Sequence, residues 1–196
     1  MSEFSLPKPK LSSIAKHCSI FDPNRIIFWL GGVNYANFSE VTEQVGNFLQ
    51  ENNGRNINLF ITSPGGQTGI AMSFYDMIKS VIGLNLWTIG AGDVDSSAIL
   101  LLLSGRIRFL TRHTTLLLHL AGRTLEGAHR FSSADLSSMT HEDKLKDEQY
   151  AAVIARESAG GLTAKEVLGL MGKNIVLTAE EAKRFGLVHH ILDHVG

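Results

Sequence analysis

The sequence predicts an α/β fold built on a mostly parallel sheet, and three observations favour it. Short apolar segments alternate with amphipathic helical segments over the first half of the chain, which is typical of strands joined by crossover helices. Glycine pairs such as Gly31-Gly32 and Gly65-Gly66 separate these segments. The chain has 196 residues, 44% of them hydrophobic, which suits one domain with a full-sized core. We therefore place no domain boundary within residues 1–196.

The elements can be assigned in order along the first half. Residues 1–20 carry Pro7 and Pro9 in a polar context, which predicts an irregular N-terminal arm. Apolar runs that end in turn residues predict strands at 25–30, 57–62, 86–89, 106–111 and 115–119. Apolar residues at helical spacing, or a short continuous apolar run, predict helices at 39–52, 68–81 and 98–103.

The second half has a different character. A glycine-bearing polar stretch leads into a long helix predicted at 133–158, whose mixed charges are typical of a solvated or subunit-contacting face. Two sequences of the capping-box type, Thr163 to Glu166 and Thr178 to Glu181, predict that a helix begins at each. A final strand is predicted at 188–192.

Composition excludes several classes of protein. The net charge is −1 with scattered basic residues, so we expect neither nucleic acid nor an anionic membrane as a partner. Cys18 is the only cysteine, which excludes an intrachain disulfide and a cysteine-based zinc site. The N-terminus has no apolar signal region and no apolar run could span a bilayer, so we expect a cytoplasmic protein. His190 and His194 have helical metal-ligand spacing, but they lie in a predicted strand, and we expect no metal.

Three features together indicate acyl-transfer chemistry. The turn Ser63-Pro64-Gly65-Gly66 offers backbone donors, Ser96 opens an apolar helix after a strand, and His119 ends another strand. Such chemistry needs an oxyanion hole, a nucleophile and a base, and the carboxyl ends of parallel strands meet at one edge. Each feature has an ordinary explanation, since Ser96 or Ser97 could simply cap a helix and His119 could be a hydrogen-bonded core residue. On local grounds Ser97 is a rival nucleophile.

The same segments resemble a known family. They are Ser63-Pro64-Gly65-Gly66, Phe74-Tyr75-Asp76, the Gly-x-x-x-Ser of residues 92–96, Leu118-His119, and the tail from Leu177 to Val188. Together they are similar to the proteolytic subunit of the caseinolytic (Clp) protease over about residues 25–193. The resemblance implies a Clp protease/crotonase-like fold of repeated ββα units with a projecting long helix.

The resemblance also implies roles for individual residues. Ser96 is the nucleophile, His119 is the general base, and the backbone amides of Gly66 and Ser97 form the oxyanion hole. It further implies that unfolded polypeptides or short peptides are cleaved in a chamber of heptameric rings stacked as a tetradecamer, with an AAA+ ATPase unfoldase as partner. No cofactor enters this chemistry.

The chain departs from the family pattern at several positions. Asn174 stands where the family has the aspartate that orients the histidine, so we predict a Ser96–His119–Asn174 site of low activity. The departures elsewhere are Asp93 and Asp95 before the nucleophile, Leu120-Ala121 in place of Gln-Pro, Lys173-Asn174 in place of the Arg-Asp pair used between rings, and an N-terminal arm without the usual pore loop. Asp143 or Asp147 could supply the missing charge only if the long helix folds over the site.

Two alternatives remain open at this point. Asn174, Asp93 and Asp95 are compatible with an inactive structural paralogue that assembles with an active subunit or an ATPase. A crotonase-type acyl-CoA enzyme also uses an oxyanion hole, although it rarely needs a serine nucleophile at the start of this helix. Acyl-CoA turnover that survives Ser96→Ala would identify the second alternative.

Overall fold

The protein is built around a parallel sheet. A computed structural model describes residues 21–51, 54–123, 127 and 130–193. The strands within these residues number seven: β1 (Ile26–Leu30), β2 (Ile57–Ser63), β3 (Leu86–Val94), β4 (Ile107–Thr111), β5 (Thr115–Leu118), β6 (Ile175–Thr178) and β7 (His190–Leu192). Five of them lie in the order β1-β2-β3-β4-β7, and every neighbouring pair in that order is parallel. This confirms the predicted α/β class.

The described part of the chain also contains six α-helices. They are α1 (Tyr35–Gln50), α2 (Thr68–Asp76), α3 (Ala98–Leu103), α4 (Ser133–Glu157), α5 (Ala164–Met171) and α6 (Ala179–Arg184). A 3₁₀ turn, Pro23–Arg25, precedes β1, and a π-helical turn, Met77–Ile82, continues α2. Every residue of α3 is buried, so this short helix lies in the centre of the core.

A second, smaller ladder branches from the main sheet. β3 continues five residues beyond its predicted end, and its last part pairs with β5, with Asp93 opposite Thr115. β5 then pairs antiparallel with β6, with Leu118 opposite Ile175. The ends of β2, β3 and β5 are thereby brought to the same region, and the functional side chains follow these three ends.

Local interactions explain why some elements begin or end away from their predicted boundaries. α1 begins at Tyr35, four residues before the prediction, because the side chain of Asn34 accepts a hydrogen bond from the Asn37 amide at 3.0 Å and caps the helix. The predicted helix at 68–81 is α-helical only as far as Asp76. Both predicted capping boxes are formed, at Thr163 and at Thr178.

The long helix α4 has two unlike parts. Its buried residues are confined to the C-terminal part and are Tyr150, Ala151, Val153 and Ile154, whereas most of residues 133–149 are exposed. The predicted long helix is thus confirmed, and its first part extends beyond the core. No helix in the described portion of the chain is both long and apolar enough to cross a bilayer. The predicted arm at 1–20 lies outside the described residues.

Candidate active site

Ser96 lies at a sharp turn between β3 and α3. Its backbone has a φ of +56°, in the left-handed region that residues with a Cβ rarely adopt. Two hydrogen bonds hold it there: the Ser96 amide donates to the Leu117 carbonyl at 2.8 Å, and the Tyr150 hydroxyl donates to the Ser96 carbonyl at 2.7 Å. A serine held in a strained turn between a strand and a helix has the geometry of a nucleophile elbow.

The glycine turn after β2 packs directly against this serine. Gly65 has a φ of +89°, and a Cβ placed on it would lie 2.7 Å from both the Asp95 carbonyl oxygen and the Ser96 Cβ. A Cβ on Gly66 would lie 2.5 Å from the carbonyl oxygen of Val33. Glycine is therefore required at both positions, because any side chain would displace backbone.

Two backbone amides are available at the site. Val33 binds both sides of the glycine turn, because its amide donates to Gly65 O at 2.8 Å and its carbonyl accepts from the Gln67 amide at 2.9 Å. The Gly66 amide between them, like the amide of Ser97, donates no hydrogen bond within the described residues. Paired unused N–H groups are the donors that an oxyanion hole requires.

The two neighbouring serines differ in exposure. Ser97 is 1% exposed, and its hydroxyl has no hydrogen-bond partner in the described part of the protein. Ser96 is partly exposed and lines a cavity of about 660 Å³ that also borders Gly66 and His119. A substrate in that cavity would therefore meet Ser96, whereas the hydroxyl of Ser97 is buried beneath it.

His119 follows β5 and has one hydrogen bond. Its Nδ1 lies 2.7 Å from the carbonyl oxygen of Leu120. A carbonyl oxygen can only accept, so Nδ1 carries the hydrogen and Nε2 keeps a free lone pair, which is the tautomer of a general base. No hydrogen bond joins His119 to the hydroxyl of Ser96 across the residues described. Such contacts often tighten only when substrate binds.

Asn174 directly precedes β6, and His119 directly follows β5. Leu118 and Ile175 form the last pair of this antiparallel ladder, so Asn174 and His119 both lie at the end that follows this pair. Asn174 is exposed, has a φ of +51°, and its side chain makes no hydrogen bond within the described ranges. The structure therefore places the two residues at the same end of the β5–β6 ladder, and no hydrogen bond joins their side chains.

The long helix covers one side of the site. A small cavity beneath the main one is lined by Ser96 and His119 together with Lys146, Asp147 and Tyr150 of α4. The Asp147 carboxylate accepts a hydrogen bond from the Ala121 amide at 2.7 Å, and this attaches the segment after β5 to the helix. The long helix therefore folds over the site, and it places the carboxylate of Asp147 near His119.

Two carboxylates near the site are partly desolvated. Burial raises the pKa of Asp95, although the hydrogen bond that Asp95 accepts from the Leu117 amide at 2.8 Å opposes the rise. Burial also raises the pKa of Asp147, while its bond from Ala121 and the nearby His119 lower it. Asp93, by contrast, is exposed and lies away from the buried side of the turn.

Sequence reasoning left out one residue that shapes the site. Tyr150 is buried, and burial raises its pKa far above the ordinary range, so its hydroxyl stays protonated and donates to Ser96. The only sequence signal was an aromatic residue in a charged helix just before Ala151 and Ala152. No group of three metal-ligating side chains is placed for a metal ion in the described parts of the chain, and His194 lies outside them.

Comparisons with known proteins show which family the chain belongs to. The sequence model of the Clp protease family matches residues 10–195. The chain is 30% identical over 179 residues to an ATP-dependent Clp protease proteolytic subunit 1 of Leifsonia xyli, covering 88% of this chain and 87% of that protein. It is 27% identical over 172 residues to a subunit of the same name from Rhodopirellula baltica, covering 86% of this chain and 72% of that protein. With a family match over nearly its whole length and the expected α/β fold, this chain belongs to the Clp protease family.

Proposed function

We propose that the chain is a serine peptidase in which Ser96 is the nucleophile, His119 the general base, and the Gly66 and Ser97 amides the oxyanion hole. One observation carries the proposal. Ser96 is held at a left-handed backbone angle against the glycine turn, with two unused amides beside it, in a cavity that it shares with His119. This arrangement supplies a nucleophile, donors and a base to one reacting carbonyl.

The reaction follows from these positions. His119 Nε2 accepts the Ser96 hydroxyl proton as Oγ bonds to the peptide carbonyl carbon. The π electrons of the carbonyl move to its oxygen, and the two amides donate hydrogen bonds to the resulting oxyanion. The imidazolium then donates its proton to the amide nitrogen, the C–N bond breaks, and the first product leaves. Water attacks the acyl-enzyme in the same way: His119 takes its proton, and Ser96 Oγ departs with that proton.

Asn174 bears on the rate of this reaction. In a serine protease, replacing the triad aspartate by asparagine costs ~10⁴ in turnover, largely because the histidine adopts the wrong tautomer. Here the Leu120 carbonyl holds the hydrogen on Nδ1 and supports the correct tautomer. We therefore expect a working but slow enzyme, with Asn174 supplying no charge to the imidazole.

The first test is chemical labelling of the nucleophile. Purified protein is treated with an aryl fluorophosphonate, and its intact mass is measured beside a Ser96→Ala variant. We expect one adduct on the natural chain and none on the variant. Ser97→Ala is the matched control, because it removes the neighbouring hydroxyl and should still be labelled.

The outcomes separate the candidate functions. Labelling that survives Ser96→Ala but disappears in Ser97→Ala would reassign the nucleophile. No labelling of the folded natural chain would favour the inactive structural paralogue, which is supported by the lack of a side-chain bond between Asn174 and His119. The family match favours either of these over the acyl-CoA enzyme.

The proposed assembly follows from the relatives. Their names describe proteolytic subunits of an ATP-dependent protease, so we extend to this chain a polypeptide substrate, a heptameric ring stacked as a tetradecamer, and an AAA+ ATPase partner. Large apolar side chains at Leu136, Leu145 and Val176 are exposed, and this supports contacts between subunits. Native mass spectrometry should find multiples of seven chains, and a monomer at micromolar concentration would contradict the proposed ring.

A further inference from the structure

One peptide group beside the site is bound at both of its ends. The carbonyl oxygen of Leu120 and the amide of Ala121 belong to the same peptide unit. The carbonyl accepts from His119 Nδ1 at 2.7 Å, and the amide donates to the Asp147 carboxylate at 2.7 Å. A continuous hydrogen-bonded chain therefore runs from the imidazole through one peptide group to a carboxylate.

A hydrogen-bonded series of this kind transmits the effect of a charge. A carboxylate that accepts from an amide N–H polarises the peptide and increases the negative charge on its carbonyl oxygen, so the bond at the other end is strengthened. The imidazolium that forms on His119 during the reaction would then be stabilised through the peptide. A directly bound aspartate does the same in a conventional triad.

The surroundings of Asp147 suit this role. It lines the same small cavity as Ser96 and His119, and burial keeps it from being fully screened by water. Asn174, at the same end of the β5–β6 ladder as His119, carries no charge. The second bond of the chain also requires an N–H at position 121, which Ala121 supplies.

We propose that Asp147 is a positioning residue that orients His119 and stabilises its charged form through the peptide group between Leu120 and Ala121. The proposal rests on the proposed function, since it assigns how the base of that same site is supported. Asp147 touches neither substrate nor the reacting atoms, and its effect passes entirely through His119.

Other charges near His119 set the choice of controls. The titratable and charged groups that face this region are Asp95 from the turn after β3, Arg123 from the segment after β5, and Asp143, Lys146, Asp147 and Tyr150 from α4. Asp143 forms ion pairs with Arg123 and lines the main cavity, so it does not serve as a control. Glu148→Gln is the matched change of charge, because Glu148 is the exposed neighbour of Asp147 on the same helix and makes no bond to the peptide between Leu120 and Ala121.

The test compares Asp147→Asn with Glu148→Gln. The asparagine keeps an oxygen acceptor for the Ala121 amide but removes the charge. We expect its rate of fluorophosphonate labelling at pH 7 to fall about tenfold, with the midpoint of the pH–rate profile displaced to lower pH by about half a unit. Glu148→Gln should leave both quantities within about twofold and a few tenths of a unit, because Glu148 is exposed to solvent.

A restored charge provides the complementary test. Asn174→Asp places a carboxylate at the same end of the β5–β6 ladder as His119, and in the Asp147→Asn background it should recover most of the lost labelling rate. An Asp147→Asn variant that labels at the natural rate would overturn the proposal. A slower rate with an unmoved pH midpoint would also overturn it, because a merely structural role has that signature.

A measurement on the unmutated protein covers two remaining cases: a variant that does not fold, and a natural chain that does not label. With ¹⁵N-alanine labelling, the amide proton of Ala121 should shift as the Asp147 carboxyl titrates and again as the His119 imidazole titrates. Response to both groups supports the relay even if the chain lacks peptidase activity, and response to neither overturns it. Failure of the proposed function and failure of the relay are thereby distinguished.

Discussion

The two halves of the site are held in different ways. On the nucleophile side, Ser96 is fixed by backbone: a left-handed angle, bonds at its own amide and carbonyl, and a glycine turn within van der Waals distance. On the base side, His119 is partly exposed and is held by a single bond to the next residue's carbonyl. Changes on the first side should therefore break the site, whereas changes on the second should adjust it.

The largest expected effect is that of Gly65→Ala. The new Cβ would lie 2.7 Å from the Ser96 Cβ at a φ of +89°. Overpacking and left-handed strain together should cost about 2–4 kcal/mol in the free energy of unfolding and abolish labelling of Ser96. Gly69→Ala is the control, since its Cβ would meet nothing within 4 Å and helix propensity should add about 1 kcal/mol of stability. A fully labelled Gly65→Ala protein would show that the nucleophile side is not rigid.

The next effect is a gain of activity from Asn174→Asp. The new carboxylate would lie at the same end of the β5–β6 ladder as His119, and aspartate tolerates the left-handed backbone angle at this position. Because the Leu120 carbonyl already supports the correct tautomer, only the charge remains to be gained, and we expect kcat/KM on a fluorogenic peptide to rise roughly tenfold. Lys173→Asp introduces a carboxylate at the neighbouring position and should leave the rate unchanged. A rate unaffected by Asn174→Asp would show that Asn174 does not act on His119.

The smallest effect concerns Asp95, which joins the two sides through the Leu117 amide. Burial raises the pKa of Asp95 in the folded protein above its unfolded value. The folded state therefore binds the proton more tightly, and this group's contribution to stability falls as pH rises through the interval between the two values. Asp95→Asn keeps an oxygen acceptor for the Leu117 amide and removes that dependence on pH. As pH increases from 4 to 7, the free energy of unfolding of this variant in urea should therefore rise relative to that of the natural chain.

The control for this change is Asp93→Asn, which removes an exposed carboxylate two residues earlier. Its free energy of unfolding should follow that of the natural chain over the same pH range more closely than Asp95→Asn does, because burial raises the pKa of Asp95 more than the charge of Asp93 does. If both variants gave the same slope against pH, burial of Asp95 would not be the cause.

Much of the fold could be predicted because the signals are local. The apolar run of α3, the capping boxes at Thr163 and Thr178, and the strands that end at glycine turns each depend on a few neighbouring residues. The extension of β3 to Val94 could not be predicted, because residues 90–94 are glycine-rich and polar and become a strand only by pairing with β2, β4 and β5. The start of α1 was misplaced because the cap at Asn34 comes before the first apolar repeat.

Local sequence patterns were enough to identify the candidate residues and the family resemblance. Ser96 after a strand, two glycines after another strand and His119 after a third are local patterns in a chain whose parallel strands end at a common edge. What lies around them depends on tertiary packing. Packing buries Ser97, brings His119 and Asn174 to the same end of the β5–β6 ladder, folds α4 over the site, and binds Asp147 to the peptide that supports His119. Those relations join residues some 20 to 60 positions apart, and packing rather than local preference fixes which of them meet.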